Sequence, residues 1–358
     1  MSAVVDARLV GETWIEVSEN LIRSVNSGVN PTADQIIGGT LIPGFIDIHC
    51  HGGAGSYFSH ASRVQDVLKV HREHGTTGII ASLVTESIED LKVQIAALVP
   101  FYKSGQILGI HLEGPYLSHA RCGAHEPSLL INPDVAEIKE LLEIAKGAIA
   151  MITIAPELPG AIEAIKYLSA AGVKVALGHT NGDFKDAAAG TNAGASIVTH
   201  FLNAMSKELT EGSISSFVLV DERLSVELIL DGHHVPFTTA SEIIRAIGNR
   251  VMLVTDAMAA AGGSDGTYAI GKLEVKVEDS VARLTSNNAL AGSTLTMDQA
   301  FHNAIKNCGA TIPQAVLMSA TNPAKALGLH DRGSITVGKR ADLLAYDLVT
   351  GKISTLNL

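Results

Sequence analysis

The sequence predicts an α/β chain: a (β/α)8 TIM-type barrel with a small β-sandwich domain formed by the two chain ends. Three observations predict it. Eight apolar runs of β-type residues alternate with helical patterns, which argues for parallel βα units. Five of those runs end in His, Glu or Asp, and in a barrel the carboxyl ends of several strands converge on one site. The rival fold, an open dinucleotide-binding sheet, requires a Gly-x-Gly-x-x-Gly turn after its first strand, and this chain has none.

The first strand lies within residues 43–53. Its period of two places Phe45, Asp47, His49 and His51 on one face and Ile46, Ile48 and Cys50 on the other. Gly52 and Gly53 follow, and glycines there are expected to let a ligand approach the backbone. The other strands are expected at residues 77–85, 107–114, 150–157, 173–179, 196–200, 224–231 and 251–256, with helices at 66–74, 133–146, 161–171 and 183–193. Residues 1–43 hold short β-type pieces at 14–17 and 21–25 and no helix of useful length, and 333–339 and 342–347 share that character. The expected division is 1–43 with 328–358 as the small β domain, and 44–327 as the barrel.

A chain of 358 residues, 46% hydrophobic and 18% charged, has globular composition, and a barrel takes roughly 250 of them. The net charge of -11 argues against a nucleic-acid or anionic-membrane partner, because both are drawn to clustered Lys and Arg. An anionic substrate then needs a local patch. Residues 1–10 lack the pattern of a secretory leader, and no run approaches the ~18 apolar residues of a spanning helix. Cys50, Cys122 and Cys308 form no Cys-x-x-Cys pair, and their odd number suits a reducing compartment. A cytoplasmic location is the expectation.

The polar strand ends are His49 with His51, Glu113, His179, His200 and Asp256. Each terminates an apolar run, and all are metal-ligand types. A single such histidine is more often structural; six of these residues ending five strands are hard to explain that way. Parity adds to this, since Val175, Leu177 and His179 share a face, as do Val254 and Asp256. Mixed imidazole and carboxylate donors suit one or two divalent ions, Zn2+ or Fe2+ above all. Such an ion brings the pKa of bound water toward ~7, so hydrolysis is the expected chemistry. A carboxylate beside that water can move its proton to a leaving group, and Asp256 is the choice for that role. His60, His71, His74, His119, His302 and His330 lack a ligand partner and are expected at the surface, whereas His111 is expected as a hydrogen-bonded core residue.

Taken together, several pieces resemble the amidohydrolase superfamily, and within it the deacetylases of amino-sugar phosphates: Pro43-Gly44-Phe45-Ile46-Asp47-Ile48-His49-Cys50-His51-Gly52, His111-Leu112-Glu113-Gly114-Pro115, Ala155-Pro156-Glu157, Gly178-His179-Thr180, Thr199-His200-Phe201-Leu202-Asn203-Ala204-Met205, Asp231-Gly232-His233-His234-Val235, Thr255-Asp256-Ala257 and Leu290-Ala291-Gly292-Ser293-Thr294. The likeness spans nearly the whole chain. It implies metal-dependent hydrolysis of the N-acetyl group of N-acetylglucosamine 6-phosphate, giving glucosamine 6-phosphate and acetate, in a homodimer. It further implies that Glu113, His179 and His200 hold the main metal, that His49 and His51 can hold a second, and that Glu113 stands where other members use a carboxylated lysine. In the same pattern His125 meets the acetamide carbonyl, His234 and the backbone of Asn203 and Ala204 hold the sugar phosphate, and Leu290 and Ala291 line the pocket.

Read from the residues alone, His125 is a lone loop histidine, residues 203–205 are an ordinary turn, and His233 and His234 are exposed. Cys122 either sits on a loop covering the substrate or is an unremarkable thiol. One departure stands out. The family carries an Arg-Glu-Pro-Gly segment whose arginine reaches the phosphate in the neighbouring subunit; equal-length counting puts Glu211 at that arginine, and a carboxylate repels phosphate. Lys207 can substitute as a point charge. Two alternatives therefore stay open: an amidohydrolase acting on an unphosphorylated N-acyl sugar or cyclic amide, and a catalytically silent sugar-binding barrel.

Overall fold

The structure, a computed structural model, describes residues 2–5 and 8–356. Eight parallel strands follow one another in chain order: Phe45–Cys50, Thr76–Val84, Gly109–Glu113, Ile149–Ile154, Lys174–Leu177, Ile197–Val198, Ser225–Ile229 and Val251–Val254. The ring closes where the last strand meets the first. Asp256 N donates to His49 O at 2.8 Å, His51 N donates to Ala257 O at 2.9 Å, and Cys50 and Ala257 form a parallel bridge. All the strands of the expected barrel are present.

Helices Val64–Glu73, Val135–Ala145, Ala161–Ala170 and Phe184–Ala193 lie where the apolar spacing put them. Their starts are set locally: the Asp134 side chain accepts from Ala136 N, and Asp183 and Asp186 form a reciprocal capping box. Strand residues alternate as the pleat requires. Ile46, Ile48 and Cys50 join the apolar layer against the helices, while His49 points inward and meets His111 edge-on with ring centroids 4.6 Å apart. His111 is fully buried and hydrogen-bonded to Ser82 Oγ at 3.0 Å and Thr153 Oγ1 at 2.8 Å, as expected.

The chain ends combine in one six-stranded sheet ordered Ile353–Thr355, Leu343–Tyr346, Thr40–Pro43, Ser2–Val5, Arg8–Ser18 and Leu21–Ser27. Arg8–Ser18 pairs with Ser2–Val5 along its first half and with Leu21–Ser27 along its second. A strand that changes partner in this way lets the sheet fold over its own core, here Ala3, Ile22, Leu41, Ile335 and Leu343. Residues 333–339, expected to be extended, instead form turns and bends held by Gly338 N to Ile22 O at 2.8 Å. Gly333 and Gly338 both take positive φ, and Gly333 packs against the Ala320 carbonyl, where a side chain would not fit.

Three further features depart from the sequence reading. A three-stranded antiparallel sheet, Gly266–Ile270, Leu273–Glu278 and Val281–Leu284, follows the last barrel strand and has its own core around Met258, Val275 and Ala282. Its signal was available in the alternation Leu273-Glu274-Val275-Lys276-Val277-Glu278 between the pairs Gly271-Lys272 and Asp279-Ser280. His71 is buried rather than superficial, with Nε2 2.9 Å from Gly52 O and 3.2 Å from Cys50 Sγ. Gly52 and Gly53 serve packing: a Cβ on Gly52 would strike Ser56 O, and one on Gly53 would reach Val70 and His71.

Candidate active site

Six side chains meet at the carboxyl end of the barrel. His49 Nε2 and His51 Nε2 stand 3.1 Å apart. Glu113, the last residue of its strand, extends Oε2 to 3.0 Å from His51 Nε2 and Oε1 to 3.1 Å from His179 Nε2 and 2.9 Å from His200 Nε2. The last two nitrogens are 3.0 Å apart. Asp256 Oδ1 lies 3.5 Å from His49 Nε2 and 3.4 Å from His51 Nε2. Two donor groups result, His49–His51–Glu113–Asp256 and Glu113–His179–His200, joined by Glu113.

These donors fit a divalent ion. Tetrahedral ligands at about 2.0–2.1 Å from an ion stand about 3.3 Å from one another, close to the separations here. Two facing imidazole nitrogens can place only one proton between them, so the buried lone pairs converge without enough protons to satisfy them. The other ring nitrogens are partly anchored: His49 Nδ1 is 2.9 Å from Glu227 Oε2 and His179 Nδ1 is 2.8 Å from Arg121 O. Such contacts orient metal-binding histidines.

His179, His200 and Asp256 reach this cluster by a route that strand parity does not describe. Each lies two residues beyond its strand, which ends at Leu177, Val198 or Val254, and each has positive φ, at 47°, 26° and 48°. That backbone costs on the order of 1–2 kcal/mol per non-glycine residue. Neighbours hold it in place: Ser118 N donates to His179 O at 2.9 Å, His200 N to Glu227 Oε2 at 3.1 Å, and Asp256 N to His49 O at 2.8 Å.

Glu227, in the seventh barrel strand, is fully buried and was missed in the sequence. Its signal was a lone carboxylate within an apolar run. Burial works against charge at His49, but Glu113, Glu227 and Asp256 outweigh it and hold the imidazole well above its usual pKa. Burial likewise opposes the Glu113 carboxylate, yet His49 and His125 keep its pKa well below the usual range. Asp47 is pushed up to about 6 by burial, although Thr255 Oγ1 donates to it at 2.5 Å.

A cavity of about 250 Å³ opens onto this cluster. His125, Asn203, Ala204, His234 and Leu290 line it, together with Lys207, Met258, Ile270 and Ala289. His125 is buried, with Nδ1 2.8 Å from Thr85 Oγ1 and Nε2 3.4 Å from Glu113 Oε2. The ring of His234 is fixed by Asp231, whose Oδ2 lies 2.7 Å from Nδ1. Asn203 Nδ2 donates back to His200 O at 3.1 Å. Two expected residues are not on the wall: Cys122 precedes lining residue Gly123, and Ala291 is buried in the core of the three-stranded sheet. Glu211 is exposed and also absent from the lining. Met258, Ile270 and Ala289 escaped notice because the three-stranded sheet that presents them was not expected.

The amidohydrolase family model matches residues 40–357. An N-acetylgalactosamine-6-phosphate deacetylase of Escherichia coli is 35% identical over 315 residues, covering 86% of this chain and 83% of that protein. An N-acetylglucosamine-6-phosphate deacetylase of Vibrio furnissii is 34% identical over 313 residues, covering 85% and 78%. The crystal structure of N-acetyl-D-glucosamine-6-phosphate deacetylase from Mycobacterium smegmatis superposes with a TM-score of 0.95 at 38% identity, covering 99% of this chain and 97% of that one.

Proposed function

This chain belongs to the amidohydrolase family, and we propose that it removes the N-acetyl group of N-acetylglucosamine 6-phosphate, giving glucosamine 6-phosphate and acetate. The observation that carries this is the convergence of six side chains of metal-ligand type, of which His51, Glu113, His179, His200 and Asp256 face a cavity also lined by His125, Asn203, Ala204 and His234.

In this reading Glu113, His179 and His200 would hold one divalent ion of the Zn2+ or Fe2+ type, and His49 and His51 could hold a second. A bound ion supplies a Lewis acid and water acidic enough to attack near neutral pH. Asp256 takes the proton of the attacking water and returns it to the departing amine; its support is an oxygen within 3.4–3.5 Å of the His49 and His51 nitrogens. His125 faces the carbonyl oxygen and steadies the charge that develops there. Asn203, Ala204, His234 and Leu290 hold the sugar.

The free cysteines Cys50, Cys122 and Cys308 support a reducing, cytoplasmic setting. A homodimer belongs to the same reading, and its support is the resemblance to the family. Among the described residues no helix is long and apolar enough to cross a membrane.

The test is acetate release from N-acetylglucosamine 6-phosphate after loading with Zn2+ or Fe2+, with metal content measured in parallel. No release from metal-loaded protein would overturn the reading. Glu211 in place of the family arginine favours a second reading, an unphosphorylated N-acyl sugar as substrate. A kcat/KM no higher with the phosphate than without it would select that one.

A further inference from the structure

The cavity sorts charge by depth. Glu113 and Asp256 lie among the histidines of the metal cluster, whereas Lys207 is the sole Lys or Arg among the lining residues. Lys207 is exposed and follows Asn203-Ala204-Met205 on the loop that leaves the sixth barrel strand. Salt bridges occupy many of the chain's other basic side chains, but none joins Lys207 to a described residue. Glu211, on the same loop, does not line the cavity.

We propose that Lys207 is the residue by which this chain reads the substrate's phosphate, from the same polypeptide that carries the metal cluster. The proposal rests on the deacetylase reading above and assigns its specificity. A sugar phosphate carries about -1.5 to -2 charges near pH 7. The chain's net charge is -11, and among the described residues Lys207 is the one Lys or Arg on the cavity wall to attract that group. The phosphate then settles toward Lys207 and the acetamide toward Asp256 and His125. Lysine acts here as a point charge, so its contribution falls with added salt. A single residue on the chain's own loop thus takes the part that the family pattern gives to an arginine from a neighbouring subunit.

The experiment measures kcat and KM of the metal-loaded full chain, Lys207→Ala, Lys207→Arg and Lys207→Glu on N-acetylglucosamine with and without the 6-phosphate. For Lys207→Ala the ratio of kcat/KM, phosphorylated over unphosphorylated, is expected to fall about 10–100-fold, mainly through KM. Lys207→Arg should restore most of it, and Lys207→Glu should lower it further. Raising salt from 50 to 500 mM should raise KM for the phosphorylated sugar in the parent and have little effect in Lys207→Ala. An unchanged ratio, or equal loss on both sugars, overturns the proposal. If the parent releases acetate from neither sugar, the deacetylase reading fails by itself. Titration calorimetry with glucosamine 6-phosphate then still decides: weaker binding in Lys207→Ala upholds the role of Lys207, and equal binding removes it.

Discussion

Glu227 Oε2 lies 2.9 Å from His49 Nδ1, with both side chains wholly buried, and the same oxygen accepts from His200 N at 3.1 Å. One carboxylate therefore braces a member of each donor group. Removing its charge should loosen both. Glu227→Gln is expected to weaken metal affinity about 10–100-fold, read by competition with a chromophoric chelator. Unchanged affinity would mean that the contact is only packing.

The two donor groups share Glu113, so the chain is expected to bind two ions of unequal affinity. Metal analysis after dialysis should approach two per chain, and His51→Asn should lower it toward one while His179 and His200 retain theirs. A single ion in the parent protein would show that the His49–His51 group stays empty in solution.

Chelation should lower stability as well as abolish activity. Without the ion, buried carboxylates and imidazoles face one another unneutralised, and a ligand that binds only the native state stabilises it in proportion to RT ln(1 + [L]/Kd). An ion at 100 times its Kd contributes about 2.7 kcal/mol. Thermal scans with and without chelator should differ by several degrees, and adding Zn2+ back should reverse the change.

Asp256→Asn preserves size but cannot take a proton. It should reduce kcat about 10²–10⁴-fold with metal still bound through the other ligands. Near-normal turnover would assign the proton transfer to another group.

Away from the site, His74 Nδ1 lies 2.8 Å from Asp298 Oδ2. Hydrogen bonding to Asp298 raises the pKa of His74; burial works against Asp298, but its bonds to His74 and Thr296 lower its pKa. The His74 contribution is full below the ordinary imidazole value, about 6.5, and is lost as pH rises through the raised one. The Asp298 contribution is full above about 3.9 and is lost as pH falls through the lowered value. Both side chains are about one-third exposed, so the pair contributes only about 0.5–1 kcal/mol. Asp298→Asn should thus lower Tm most near pH 5–6 and least above pH 9, compared with the parent across that range.

The barrel was legible because its signals are local. Apolar runs with a two-residue period, helical runs with their caps and polar residues at strand ends reflect what each segment must bury; they located the eight strands and singled out His49, His51, Glu113, His179, His200 and Asp256, which the structure brings together. What lay beyond that reading depends on partners distant along the chain. Glu227 meets His49 across 178 residues, and a carboxylate in a strand shows no partner until the barrel closes. His71 looked superficial because nothing in its own helix shows that Gly52 and Cys50 will cover it. The positive φ of His179, His200 and Asp256 and the wall built by the inserted sheet are likewise properties of the assembled barrel. By itself the sequence determined which His, Glu and Asp side chains close the apolar runs. Only the tertiary structure decided how two donor groups share Glu113 and which cation faces the cavity, because both depend on distances between elements that no local pattern encodes.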